Sequence, residues 1–290
     1  MQYNKPIINS FLGLSLSHCP KPVSGPAQAL SGARLLADQG LIKSVELWMT
    51  GFPPSSPQNP GPWDYTDELI NDLRSILDSF IYKGAHIPFA FINAAALNPG
   101  IRRESIRQLY QSVEIAGKLG LDYVVTHPRF GALDIISKAE EWNLWKESYL
   151  ELSAVAEANK IIFTIENGDR LSFEDCARMV REIASPFFAM TFDTGHANLE
   201  GNKDKKYQNY HDLASFVKGE AACFANIHLH DNHTDKDEHL PPGEGHIDFA
   251  GIFRELCLQK WKGPLTLECP WDSLNEISEK IKAWHENYTH

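Results

Sequence analysis

The chain has 290 residues, 43% of them hydrophobic and 22% charged, with a formal net charge of -11. That net negative field weighs against nucleic acid or another polyanion as partner, the one dense basic cluster being "KDKK" at 203–206. No apolar run reaches membrane-spanning length, and the five scattered cysteines, with Cys19 the first and no CxxC pair, point to reduced thiols in a cytoplasmic protein.

In chain order, the opening "MQYNKPIINSFLGLSLS" reads as a first strand rather than a signal peptide, because its apolar run is short and broken by Asn and Ser. Similar β-branched and aromatic runs follow: "SVELWMT" (44–50), "GAHIPFA" (84–90), "DYVVTHP" (122–128), "IIFTIEN" (161–167), "FFAMTFD" (187–193), "FANIHLH" (224–230) and "GPLTLEC" (263–269). Between them lie helical patterns. "TDELINDLRSILDSFIYKG" has acids in its first turn and a predicted stop at Gly84, "RESIRQLYQSVEIAGKLG" stops at Gly120, and "LSFEDCARMVREIA" offers Ser172 as a cap. Strands alternating with helices imply a parallel sheet, and eight such units in this length predict one α/β domain over 1–290, a closed (β/α)8 TIM barrel. The proline-rich "GFPPSSPQNPGPW" (51–63) follows the second strand, on the face where a barrel builds its active site. The sequence does not fix an oligomeric state, and self-association is compatible with it.

Strands of such a barrel are ordinarily apolar on both faces, yet several here break that rule near their C-terminal ends. The polar residues are His86, His127, Glu166, Asp193, His228 with His230, and Glu268. At period two, a small polar residue stands two positions before four of them: Thr164 before Glu166, Thr191 before Asp193, Asn226 before His228, Thr266 before Glu268. This predicts a polar inner layer supporting metal ligands. Carboxylates converging inside a barrel repel one another and lose hydration, and the chain supplies no matching inward Lys or Arg. A bound cation is the economical solution. The stretch "HLHDNHTDKDEHLPPGEGHIDF" (228–249) adds five His and four Asp in 22 residues, with Asp237 and His239 as candidate ligands from its loop and His196 from "DTGH". His230, His233 and His246 receive no ligand role, and His233 is expected to be solvated.

Through "AHIPF", "VVTHP", "TIEN", "FDTGHAN", "HLHDN", "DEHLPPGEGHIDF" and "LTLEC" the sequence resembles the endonuclease IV and xylose-isomerase-like TIM barrel superfamily. The resemblance implies one of two sites. In the hydrolase branch, up to three divalent ions are held by His86, His127 and Glu166, by Glu166, Asp193, His228 and Glu268, and by His196, Asp237 and His239. In the sugar isomerase and epimerase branch, one ion is held by Glu166, Asp193, His228 and Glu268, and Glu166 and Glu268 move the proton. Because all nine positions are matched, the expectation favours hydrolysis of a phosphoester in a small phosphorylated or nucleotide-like metabolite, the nucleotide loop of cobamides being a precedent in the superfamily. The alternative is sugar or sugar-phosphate isomerisation. DNA fits poorly: no segment resembles those that wedge into an abasic site, and "FDTGHANLEG" departs from the corresponding endonuclease IV signature. Imidazole and carboxylate donors without Cys favour Zn, Mn, Co or Fe. Candidate substrate contacts are Arg129 for a phosphate, His18, Glu46, and an apolar wall from Trp48, Phe52 and Trp63.

Overall fold

The computed structural model describes residues 12–18, 25–52, 59–132, 135–202 and 209–288. The N-terminal reading over 1–11, Cys19, the 53–58 part of the proline-rich loop and the cluster at 203–206 lie outside them. Eight parallel strands close on themselves in sequence order, as the alternation predicts. They are β1 (Leu12–Ser15), β2 (Ser44–Trp48), β3 (Tyr82–His86), β4 (Tyr123–Thr126), β5 (Ile162–Glu166), β6 (Phe188–Asp193), β7 (Phe224–Leu229) and β8 (Leu265–Leu267). Helices α1 (Pro26–Asp38), α2 (Asp67–Leu77), α3 (Pro99–Leu119), α4 (Lys138–Asn159) and α5 (Phe173–Ile183) follow the first five strands; α6 (Thr194–Asn202) and α7 (Leu213–Glu220) both follow β6; α8 (Phe249–Leu258) and α9 (Leu274–Tyr288) follow β7 and β8.

Local chemistry sets the boundaries. Thr66, Asn98, Ser137, Ser172 and Asp248 cap helix N-termini by accepting backbone N–H groups, and α3 stops at Gly120 in the left-handed conformation. One expected stop is corrected: α2 ends at Leu77, and Gly84 lies within β3. The apolar residues after 77 continue the helical pattern, but pairing with β2 and β4 claims the backbone from Tyr82 onward. A Cβ on Gly84 would stand 2.2 Å from the Tyr123 ring, so this glycine makes room for a tyrosine across the barrel interior. The main core lies between barrel and helices, where Tyr149 of α4 packs on Phe163 and Phe188, and Phe216 of α7 on Phe192 and Phe224. Most outward strand residues are therefore apolar, with Lys83 near the start of β3 an exception, and the other charged ones lie inside or at the C-terminal rim.

Candidate metal centre and active-site cavity

Closure of the sheet brings Glu166, Asp193, His228 and Glu268 together at the C-terminal end of β5 to β8, all 5% exposed or less. His228 organises them. Its Nε2 lies 3.0 Å from Glu46 Oε2, and its Nδ1 faces Glu166 Oε2 at 3.2 Å, Glu268 Oε2 at 3.5 Å and Asp193 Oδ2 at 3.9 Å. Burial alone would drive its proton off, but Glu268, Glu46 and Glu166 outweigh it and raise the His228 pKa well above the ordinary imidazole value. Burial likewise favours neutral Glu166, yet His127 and His228 hold that carboxyl well below the usual range. Glu166 Oε2 and His228 Nδ1 are buried without a hydrogen-bond partner, an arrangement that costs about 1–3 kcal/mol per atom unless something binds there. One imidazole nitrogen and three carboxylates converging on such orphaned atoms fit a divalent cation.

The polar layer beneath exists, and it reaches the ligand His228 through Glu46. Thr164 and Thr191 bond each other at 2.8 Å, and Thr266 donates to Asn226 at 2.9 Å. Asn226 Nδ2 and the Tyr123 hydroxyl each donate to Glu46 Oε2 at 3.1 Å. The layer fixes Glu46, and Glu46 fixes the His228 ring. Glu46 is therefore corrected as a substrate contact: it is 0% exposed and lies below the imidazole.

The remaining expected ligands fall in two flanking groups. His86 and His127 point Nε2 at one another, 2.9 Å apart, and at Glu166 Oε2 from 3.6 and 3.4 Å. On the other side, His196, Asp237 and His239 gather as expected, with His230 joining them. Asp193, Asp237 and Glu166 together raise His196 well above its ordinary pKa against the effect of burial, and His239 is likewise raised to about 9, chiefly by Asp237. The loop carrying Asp237 and His239 is folded by Asp231, whose buried carboxylate accepts the backbone N–H of Asn232, Gly243, Gly245 and Ile247. His233 and His246 are exposed. Sequence reasoning passed over His230 because a histidine one residue beyond a strand carries no sign of where it will turn.

These groups open on a cavity of about 300 Å³ whose lining includes His18, Trp48, Phe89, Arg129, Asp169 and Glu268. Trp48 and Phe89 form an apolar wall beside His86 and His127. Trp63 and Phe52 are not among the cavity's described lining residues; the Trp63 ring lies over Gly51 and Gly61. His18 lines the cavity against His239, its rings 4.6 Å apart, and burial lowers its pKa to about 4. Arg129 reaches the rim, 3.7 Å from Asp169 and over the Phe89 ring. Asp169, missed in the sequence, accepts from His127 Nδ1 at 3.0 Å; it sits three residues past Glu166 in "ENGD", a loop that advertised only Glu166.

Comparison with known proteins places this geometry in context. The family model described as "Xylose isomerase-like TIM barrel" matches residues 33–288. The Uncharacterized protein MJ1311 of Methanocaldococcus jannaschii is 26% identical over 197 residues, covering 63% of this chain and 62% of its own length. The chain thus spans less than two thirds of the curated relatives it matches. A solved structure of a D-tagatose 3-epimerase-like protein aligns with TM-score 0.72 at 22% identity over 96% of both chains. That of a D-allulose 3-epimerase from Methylomonas sp. in complex with D-allulose aligns with TM-score 0.75 at 16% identity over 98% of both. At these identities the likeness establishes the fold. Both are named for sugar epimerases, and this finding stands against the expected phosphoester hydrolase, which is corrected.

Proposed function

The chain belongs to the xylose isomerase-like TIM barrel family, and from that premise we propose that it is a divalent-metal-dependent enzyme that epimerises or isomerises a small ketose. One observation carries the reading: His228 Nδ1 stands between Glu166 and Glu268, 3.2 and 3.5 Å from their oxygens, and both glutamates line the cavity. Glu166, Asp193, His228 and Glu268 would hold the ion. When bound, it supplies Lewis acidity that polarises the substrate's carbonyl and neighbouring hydroxyl.

The chain's own residues supply the rest. One glutamate takes the proton from the carbon beside the carbonyl, and the C–H electron pair moves into an enediolate. The other, protonated, returns a proton from the opposite side. Delivery to the same carbon inverts it; delivery to the former carbonyl carbon, with the neighbouring hydroxyl's proton passing to the former carbonyl oxygen, isomerises the sugar, and exchange with cavity water resets both carboxyls. Trp48 and Phe89 take the C–H face of the sugar, and His86, His127, Asp169 and His18 are positioned for its hydroxyls. A neutral ketose suits the lining better than a phosphate, because Glu166, Asp169, Asp237 and Glu268 face the cavity with Arg129 as the sole Lys or Arg among its described lining residues. We keep the reduced, cytoplasmic setting and an absence of nucleic-acid partners as parts of the same proposal.

The test is solvent exchange. Metal-loaded protein incubated in D2O with a panel of ketoses and ketose phosphates is expected to incorporate one deuterium beside the carbonyl of an unphosphorylated member, and Glu166→Gln or Glu268→Gln to abolish it. No exchange across the panel with fully loaded, folded protein overturns the reading.

A further inference from the structure

We propose that Phe91 and Phe130 form an outer subsite for a second sugar ring, which makes the ligand a ketose carrying a glycosyl group rather than a free monosaccharide. The inference rests on the reading of the inner cavity as a ketose site. Phe91 is the starting observation. Its φ is 62°, a left-handed conformation that bulky residues adopt only at a cost, and the residue is 82% exposed. Glycine would serve the same turn without that cost, and so exposed a ring adds little to the core. A strained and unburied aromatic in a loop beside the cavity is better explained by what it binds.

The two rings sit on the loops after β3 and β4, and each follows a residue of the inner cavity. Phe89, in its wall, stands two positions before Phe91, and Arg129, at its rim, immediately precedes Phe130. Asn93 Nδ2 donates to the Gly131 carbonyl at 3.0 Å and ties the loops together. The Phe91 and Phe130 rings are nearly parallel, tilted by 10° with centroids 6.2 Å apart. Inward of them the Arg129 guanidinium lies over Phe89, and Phe89 meets Trp48. Phe91 also lines a second cavity of about 320 Å³, close to the 300 Å³ of the inner one, together with Ile101, Glu104 and Gln108 of α3. The mixture of walls selects the occupant. Phe91 and the half-exposed Ile101 are apolar. Glu104, held by Arg107 at 2.7 and 2.8 Å and by Gln108 at 3.0 Å, gives a polar edge. A sugar ring matches both, laying its C–H face on an aromatic ring and turning its hydroxyls to the carboxylate and carboxamide. A wholly apolar group would cover Glu104 and Arg107 without replacing their hydration.

Saturation-transfer NMR tests the subsite without turnover. Zinc-loaded protein is mixed with lactulose or isomaltulose, two disaccharides that end in a ketose, or with fructose. Saturation is expected on protons of both rings of at least one disaccharide, which binds about tenfold more tightly than fructose. Phe91→Ala is expected to remove the signal from the glycosyl ring and to raise the KM of that disaccharide about tenfold with kcat held, leaving fructose unchanged. Phe91→Gly is expected to show the same loss while holding or raising the melting midpoint, because glycine accepts a φ of 62° freely; a ring that served the fold would lower it. Saturation absent or confined to the ketose ring, equal affinity for fructose and both disaccharides, or an unaltered glycosyl signal in Phe91→Ala overturns the proposal. Binding through both rings with no deuterium exchange overturns the ketose reaction and leaves the subsite standing.

Discussion

The two groups flanking Asp193 differ in how they are held. Glu166, Asp193 and His228 sit on adjacent strands whose register is set by backbone pairing, Asp193 lying opposite His228 and Glu166 opposite Thr191. His196, His230, Asp237 and His239 instead come from the first turn of α6 and from a loop, with Asp237 38% exposed at its side chain. The first group is positioned by the barrel itself; the second relies on hydrogen bonds from its rings to the Asn167 and Glu268 carbonyls and Asp193. A site whose geometry must survive every turnover belongs on rigid strands.

The largest expected difference between them is catalytic. Glu166→Gln should lower turnover by at least about 10³-fold with an unchanged circular dichroism spectrum, whereas His239→Ala should retain measurable exchange; equal loss from both would erase the distinction. The next is structural. Glu46→Ala strands the donors of Tyr123, Asn226 and His228 inside the barrel and should cost about 3 kcal/mol or more in urea unfolding. Glu46→Gln should keep the fold while weakening metal affinity about 10- to 100-fold through the His228 ring. A pH effect should mark the loop group. The His239 pKa, raised from 6.5 to about 9, stabilises the ion-free fold below pH 6.5, and that contribution is lost as pH rises to about 9. Unfolding midpoints of stripped protein should fall across that window. The smallest effect is at the rim: Arg129→Ala, breaking an exposed pair with Asp169, should change kcat/KM less than about fivefold.

The barrel was legible because its signals are local. Each strand carries its own apolar run, each helix its cap at Thr66, Ser172 or Gly120, and the polar strand ends break a pattern that the eye can follow. Gly84 was misplaced because helical periodicity runs on past Leu77, and only the neighbouring strands decide where it stops. Asp169, Phe89 and His230 could not be read for a related reason: each lies in a loop after a strand, where period two no longer says which way a side chain faces. The expected reaction is corrected because the four ligand positions of one branch, Glu166, Asp193, His228 and Glu268, are contained in the nine of the other, and residue identity alone does not separate the two reactions.

By itself, the sequence determined the order of strands and helices and that carboxylates and imidazoles would collect at one rim, since propensity, capping and alternation act between near neighbours. The tertiary structure decided what each of those groups faces. Glu46 belongs beneath His228 rather than beside a substrate, and His230 belongs with Asp237, because closing the sheet sets residues about 180 positions apart within 3.0 Å. Distances across a barrel come from strand register and closure together, and no single stretch of chain contains that information.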